Sequence, residues 1–189
     1  MSHMEYWNQY TENSDSNYNG EMAKFIRDLA ISLRVQNVLE VGCNSGNDLK
    51  LFPQEFDVSG IDPNEFAIRK ASQNLPYFKF KVDAITELPF EDSSFDFVFT
   101  RNVLNYIDDS NMEKSVNELF RVSRKYVLNV EYFSDNESQI QDVSIPTRGR
   151  NMYKRWLNFK VKIISNVDMH EEIDPKKSKF TLIRKIVTV

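Results

Sequence analysis

The chain has 189 residues, enough for one domain of ordinary size, and with 41% hydrophobic residues and 14 Phe it can bury a substantial core. Its 24 basic and 28 acidic side chains leave a net charge of −4, which argues against a broad phosphate-tracking surface for DNA or RNA. The single cysteine, Cys43, excludes an internal disulfide. No apolar run approaches the roughly 18 residues of a membrane span, and the polar N-terminus reads as no signal peptide, so a cytoplasmic location is expected.

Residues 2–4, SHM, look like a vector-derived scar, and His3 is given no role. Residues 5–20 are polar with Tyr6, Trp7, Tyr10 and Tyr18 interleaved, and they follow no period. Met22, Phe25, Ile26, Leu29 and Leu33 then fall at helical spacing. NVLEVG, from Asn37, reads as a buried strand. DVSGID, residues 57–62, reads as a second strand, and Pro63 opens a helix with Phe66, Ala71 and Leu75 on its apolar face. FKFKVDA (78–84) alternates like a strand with one wet face, and FDFVFT (95–100) reads as a central strand. NMEKSVNELFRVS is a helix with Met112, Val116, Leu119 and Phe120 inward, and YVLNVEYF (126–133) is another strand. This alternation predicts an α/β fold: a parallel sheet with right-handed crossovers and helices on both faces. Residues 134–160 are irregular and polar, with a short helical piece near YKRWLNF. VKIISNV and FTLIRKIVTV then read as an antiparallel hairpin at a sheet edge.

The stretch NVLEVGCNSGNDLKLF (37–52) is the informative one. In an open α/β sheet the ligand sits beyond the carboxyl ends of the strands. Gly42 and Gly46 let the backbone turn there, and a helix beginning near Asn47 would aim N–H groups at a ligand. A dinucleotide fingerprint has three glycines, whereas this loop has Gly42-x-x-x-Gly46. Asp48 would compete with a pyrophosphate, and Glu40 would attract a cation. A cationic ligand without phosphate fits better.

VLEVGCNSG resembles the first motif of class I S-adenosylmethionine-dependent methyltransferases, GIDPN the second, and VDAITELPFEDSSFDFVFTRNVLNYI the stretch that follows. The resemblance covers residues 37–133. It implies a Rossmann-like, doubly wound, mostly parallel seven-stranded sheet with a C-terminal antiparallel hairpin. It also implies S-adenosylmethionine as cofactor, with Asp62 binding the ribose hydroxyls and Asp83 meeting the adenine amino group. Two departures stand out. Asn44 replaces the middle glycine, so the loop must accept a β-carbon there, and Tyr106 stands where many relatives carry His. EYWNQYTEN, YVLNVEYFS and RGRNMYKRW further resemble methyltransferases associated with pseudaminic-acid and other surface-sugar biosynthesis, with Trp156 where those have Asp. The resulting division is 5–35 as N-terminal cap and helix, 36–133 as cofactor-binding core, 134–160 as a substrate lid and 161–189 as the hairpin.

The cofactor set expected from these motifs is Tyr10, Glu40, Gly42, Cys43, Asn44, Gly46, Asp62, Pro63, Asp83, Ala84, Arg101 and Asn102. Several members keep a plainer alternative. Asp62 either caps the next helix or binds ribose, and both can hold. Asp83 is either a turn acid or an adenine contact. Cys43 reads as a small loop residue rather than a nucleophile, since no His partners it nearby. Tyr10 and Trp7 either cover the cofactor or pack on the sheet. Arg148, Arg150, Lys154 and Arg155 are either a solvated loop or a clamp on an anionic sugar or nucleotide sugar. Glu131 is the first candidate for general base and Tyr106 for orienting the acceptor, with rim packing the alternative for both. Two histidines, one in the scar-like segment, do not build a His-rich metal site, so no metal is expected.

The sequence thus points to a methyltransferase acting on a small molecule, with O-methylation of a surface-polysaccharide sugar as the expected reaction. A natural-product methyltransferase and a non-catalytic cofactor-binding partner remain open, and a nicotinamide oxidoreductase is a weaker rival. The acceptor and the oligomeric state are not legible.

Overall fold

The computed structural model describes residues 2–141, 143–176 and 178–186. The first helix, α1 (His3–Glu12), opens with a capping box: Ser2 Oγ accepts from the Glu5 N–H at 3.2 Å, and the Glu5 carboxylate accepts from the Ser2 N–H at 2.7 Å. Residues 5–20, expected to be aperiodic, therefore carry a helix. Tyr6, Trp7 and Tyr10 share one face of it, with Trp7 packed edge-to-face on Tyr6 at 5.2 Å and on Tyr10 at 5.5 Å. Helix α2 (Gly20–Ser32) is capped by Asn19, whose Oδ1 accepts from the Met22 N–H, and it buries Met22, Ala23, Ile26 and Ala30.

Seven strands follow: β1 (Asn37–Val41), β2 (Asp57–Asp62), β3 (Lys79–Val82), β4 (Phe95–Arg101), β5 (Ser123–Glu131), β6 (Val161–Asp168) and β7 (Lys179–Lys185). Helices α3 (Glu65–Asn74), α4 (Asp109–Val122) and the short α5 (Met152–Trp156) lie between them. Their sheet order is β3-β2-β1-β4-β5-β7-β6. Strands β1 to β5 run parallel, β7 pairs antiparallel with β5, and β6 pairs antiparallel with β7 at the edge. The order reverses between β1 and β4, which opens a crevice at their carboxyl ends.

Alternation along the strands splits the core in two. Val38, Phe97, Phe99, Leu128 and Val130 face α2 and α3, while Leu39, Val98 and Val127 face α4 and α5. Both faces are covered, so β4 is buried at every position from Phe95 to Thr100. Several expected boundaries shift. Helix α3 begins after Asn64, whose Oδ1 accepts from the Phe66 and Ala67 N–H groups, so Pro63 precedes the cap. The buried face of α3 is Ala67, Ile68 and Ala71, with Phe66 only half-buried. The helix expected near Asn47 is one 3₁₀ turn, Asn47–Leu49. Strand β5 stops at Glu131, and the last three residues of the expected final strand lie outside the described residues.

The largest correction concerns residues 134–160, expected to be a lid with an arginine clamp. Arg150 is buried, and its guanidinium donates to Leu104 O at 2.9 Å, Ile107 O, Asp109 Oδ1 at 2.8 Å and Glu137 Oε2 at 3.3 Å. Arg155 forks onto the Glu137 carboxylate through Nε at 2.7 Å and Nη2. Arg148 is half-exposed, donating to Glu137 O at 3.2 Å and lying 3.5 Å from Asp109. Trp156 is fully buried and its Nε1 donates to Asn129 Oδ1 at 2.8 Å. Local carbonyls and carboxylates satisfy these cations, so the segment is a strap that ties the loop after β4 to the sheet.

Arg150→Met strands the Ile107 carbonyl and removes a charged donor from Leu104 O, Asp109 and Glu137, and should destabilise the fold by about 3–5 kcal/mol in urea unfolding. Arg148→Ala should cost less than about 1 kcal/mol. Equal, small losses in both variants would remove the strap from this description.

Candidate functional site

The first strand leaves the sheet through a turn held by its neighbour. The N–H groups of Gly42 and Cys43 both donate to Ile61 O, at 2.8 and 2.9 Å. Gly42 sits at φ +78°, and a β-carbon there would meet Val103 Cγ2 at 2.3 Å. Asn44 takes φ +46°, a left-handed conformation that Asn tolerates well. Its Oδ1 accepts from the Ser45 N–H and its Nδ2 donates to Thr11 Oγ1, both at 2.9 Å. The β-carbon demanded by the missing glycine is thus accommodated, and its side chain ties the loop to the C-terminal end of α1. The Asp62 carboxylate accepts from the Asn44 N–H through Oδ2 and from the Asn64 N–H through Oδ1, each at 2.9 Å. Each oxygen keeps a further lone pair.

These residues border a cavity of about 350 Å³. Of the expected cofactor set, Tyr10, Glu40, Gly42, Cys43, Asn44, Asp62, Pro63, Arg101 and Asn102 line it, and so does Tyr106. Gly46 supports the turn behind the lining with φ +78°. Asp83 and Ala84 follow β3 and stand off the cavity: the Asp83 N–H donates to Asp62 O at 3.3 Å, and its Oδ1 accepts from the Ala84 N–H. The adenine contact assigned to Asp83 therefore becomes a turn role here. Arg148, Arg150 and Arg155 lie outside the lining. Residues that line it beyond the expected set include Asn47, Asp48, Asn64, Val103, Tyr132 and Lys176, together with His3, Met4 and Tyr6 from α1. The Ser2–Glu5 capping box and the helical spacing of Tyr6 and Tyr10 were the available signals for α1. His3, given no role, accepts from Trp7 Nε1 at 3.3 Å.

The electrostatics of the floor are one-sided. Asp48 pairs with Arg101, a contact that holds the guanidinium firmly charged despite burial. Burial pushes the Glu40 carboxyl well above its usual range, and the charge of Asp48 adds to this while Arg101 opposes it. Burial likewise raises the Cys43 thiol, which makes it an inert packing residue. Glu40 Oε2, Asp48 Oδ1, Asn47 Oδ1 and Asn102 Oδ1 are buried without a hydrogen-bond partner. All four residues line the cavity, and the Glu40 and Asp48 carboxyls lie against each other there. Such a set awaits donors and positive charge.

Glu131, expected as general base, lies beneath this lining. It is 1% exposed, its Oε1 accepts from Thr100 Oγ1 at 2.8 Å and its Oε2 from the Val103 N–H at 3.0 Å. Thr100 in turn accepts from Asn129, which accepts from Trp156. Glu131 is therefore a brace for the loop after β4, too enclosed to reach an acceptor.

Residues 38–126 match the methyltransferase-domain family. A protein of Haemophilus influenzae described as uncharacterized is 34% identical over 95 residues, covering 46% of this chain and 38% of that protein. An uncharacterized methyltransferase of Schizosaccharomyces pombe is 30% identical over 90 residues, covering 40% of this chain and 32% of the other. The match thus spans about a third of the length of these curated relatives. Among solved structures, phosphoethanolamine N-methyltransferase 1 of Haemonchus contortus, in complex with phosphoethanolamine and S-adenosylhomocysteine, superposes with a TM-score of 0.74 at 17% identity. That likeness covers 97% of this chain and 48% of the other, and it establishes the Rossmann-like methyltransferase fold. S-adenosylmethionine is the cofactor these residues fit: its ammonium and sulfonium suit the four lone oxygens, and its ribose diol suits the remaining lone pairs of Asp62. Among the described residues, no cluster of His, Cys, Asp and Glu is placed to hold a metal ion, and no helix is long and apolar enough to cross a membrane.

Asp62→Ala should weaken binding of S-adenosylhomocysteine by about 1–3 kcal/mol in calorimetry, the scale for losing charge-assisted hydrogen bonds. Unchanged affinity in the folded variant would end the ribose assignment. Glu131 yields a pH prediction. Burial lifts its carboxyl from the ordinary 4.5 to about 7, against the opposing bonds from Thr100 and Val103. A raised acid binds its proton more tightly in the folded state, so its contribution is most favourable at low pH and is lost as pH rises from about 4.5 through 7. The stability difference between wild type and Glu131→Gln should shift in the variant's favour by up to about 3 kcal/mol across that window. Parallel pH profiles would show Glu131 to be unstrained.

Proposed function

We propose that this protein is an S-adenosylmethionine-dependent methyltransferase acting on a small molecule, without nucleic acid or membrane as substrate. The observation that carries the reading is the row of four unpartnered oxygens, Glu40 foremost, beside Asp62 at adjoining strand ends. When bound, S-adenosylmethionine supplies a methyl group activated by a positive sulfur. The chain supplies alignment and dryness. Glu40 and Asp62 fix the two ends of the cofactor's charged and sugar portions, and α1 closes the cavity with Tyr6, Trp7 and Tyr10. Trp7 locks edge-to-face on Tyr106 at 5.0 Å, which excludes water from the acceptor side.

The lining carboxylates Glu40, Asp48 and Asp62 all belong to the floor, and Glu131 is sealed beneath it. Burial holds the Tyr106 hydroxyl protonated well above its ordinary range, so it serves as a donor that orients the acceptor. This lining favours an acceptor that arrives as its own nucleophile, such as an amine, thiolate or carboxylate, over a hydroxyl that needs a base. The surface-sugar reading keeps one observation in its favour, the tyrosine and tryptophan rings of the wall, which suit the flat face of a sugar ring. Its other support, an arginine clamp, is replaced by the strap.

The test is incubation with methyl-labelled cofactor and a panel of small amines, thiols, carboxylates and sugars, read by mass spectrometry. Methylation of at least one class is expected, and no turnover with a cofactor that binds would favour a regulatory cofactor-binding role. A sharper check concerns Glu40. Because burial raises its proton affinity, a bound cation favours its charged form, so S-adenosylmethionine affinity should rise with pH in the wild type and much less in Glu40→Gln. Identical pH dependence of the two proteins would remove Glu40 from the cofactor site.

A further inference from the structure

Part of the lining owes nothing to the glycine loop. Trp7 comes from α1, Tyr106 follows β4, Tyr132 follows β5, and Lys176 comes from the loop between β6 and β7. Lys176 differs from the other strong cation there. Arg101 is bound to Asp48, whereas among the described residues no carboxylate forms an ion pair with the Lys176 ammonium. Its loop is nonetheless built. Asp174 accepts from the backbone N–H groups of Lys176 and Ser178, both at 3.1 Å, and Asn19 Nδ2 donates to Ile173 O at 2.7 Å. The ammonium lies 5.6 Å from the centroid of the Tyr132 ring, at the cavity mouth. A positive charge outside any ion pair among the described residues, hydrogen-bonded to the Tyr132 hydroxyl beside aromatic rings that line the cavity, is an anion-binding element with an apolar wall.

We propose that Lys176, with Tyr132, Tyr106 and Trp7, forms an acceptor subsite that selects a small ring-bearing molecule carrying a phosphate or a carboxylate. The proposal rests on the cavity being the cofactor site. The anion meets Lys176 and the Tyr132 hydroxyl while the body of the molecule lies against Trp7 and Tyr106. Phosphate and carboxylate share the chemistry that Lys176 reads as a point charge, so both belong in the test.

The protein is first saturated with S-adenosylhomocysteine, then titrated by calorimetry with phenyl phosphate, benzoate, phenol and inorganic phosphate at one ionic strength. At least one ring anion should bind about fivefold or more tightly than phenol and than inorganic phosphate, the scale of one partly exposed charge contact. Lys176→Met should abolish that preference, Lys176→Arg should keep it, and both variants should bind S-adenosylhomocysteine like the wild type, which also reports that they are folded. Phenol binding as well as the anions, a preference that survives Lys176→Met, or no ring compound binding at millimolar concentration would each overturn the subsite. Failure of the wild type to bind S-adenosylhomocysteine is read before any titration and overturns the cofactor reading instead.

Discussion

The cavity depends on how Asp62 and the carbonyl before it hold two turns at once. Ile61 O accepts the N–H groups that leave β1, and the Asp62 carboxylate accepts one N–H from that turn and one from the start of α3. Four backbone donors that would otherwise be orphaned at strand and helix ends are thereby satisfied by β2. The carboxylate is almost buried, and burial raises its proton affinity while these two N–H bonds lower it. A neutral side chain could not accept from both turns with equal strength. The same group that shapes the loop therefore remains an acceptor toward the cavity, and structure and binding are coupled through one side chain.

A second constraint comes from the opposite face. Gly42 has no room for a β-carbon because Val103 lies on it, and Val103 is held by Glu131 through its backbone N–H. From Glu131 the polar contacts run through Thr100 and Asn129 to the indole of Trp156. A residue far along the chain thus helps fix the distance between two loops that border the cavity. Each member is buried, so loss of any one strands its neighbours without partners. Arg150 acts in parallel by fastening the carbonyls of Leu104 and Ile107 in the same loop. The segment after β5 works as scaffolding for the floor, which is why its arginines are occupied.

Legibility in the sequence followed how local each determinant is. The strand–helix alternation, the glycine loop and the acid ending β2 are short-range patterns, and they placed the crevice and most of its floor correctly in the chain. Asp83 stayed open between a turn acid and an adenine contact because motif position does not reveal where a side chain points once an edge strand ends at Val82. The arginine cluster reads as available because the partners of Arg150, Glu137, Asp109 and two carbonyls, lie 13 to 46 positions away in the chain and only the fold gathers them. Lys176 escaped notice for the same reason, since nothing near it in sequence connects it with Tyr132. The aromatic helix α1 was the one miss with a local signal, masked by the scar-like residues that supply its cap.

Helix α1 also shows how the two halves of the lining divide their work. Its C-terminal end and the residues just after it are fastened to the glycine loop and to α3 by polar bonds: Asn44 to Thr11, Asn47 to Ser14 O, and Lys70 of α3 to the carbonyls of Thr11 and Glu12. Asn64 adds one bond to Asn8. Toward its N-terminus the ring contact of Trp7 with Tyr106 takes over. Hydrogen bonds with fixed partners resist separation, whereas an edge-to-face ring pair is worth only about 0.5–1.5 kcal/mol beyond its buried area. Opening the helix at its N-terminal end is therefore the less costly motion, and it exposes the side that Tyr106, Tyr132 and Lys176 border while leaving the glycine loop intact. Under the proposed methyltransferase reading, an acceptor can then exchange without disturbing the oxygens on the floor.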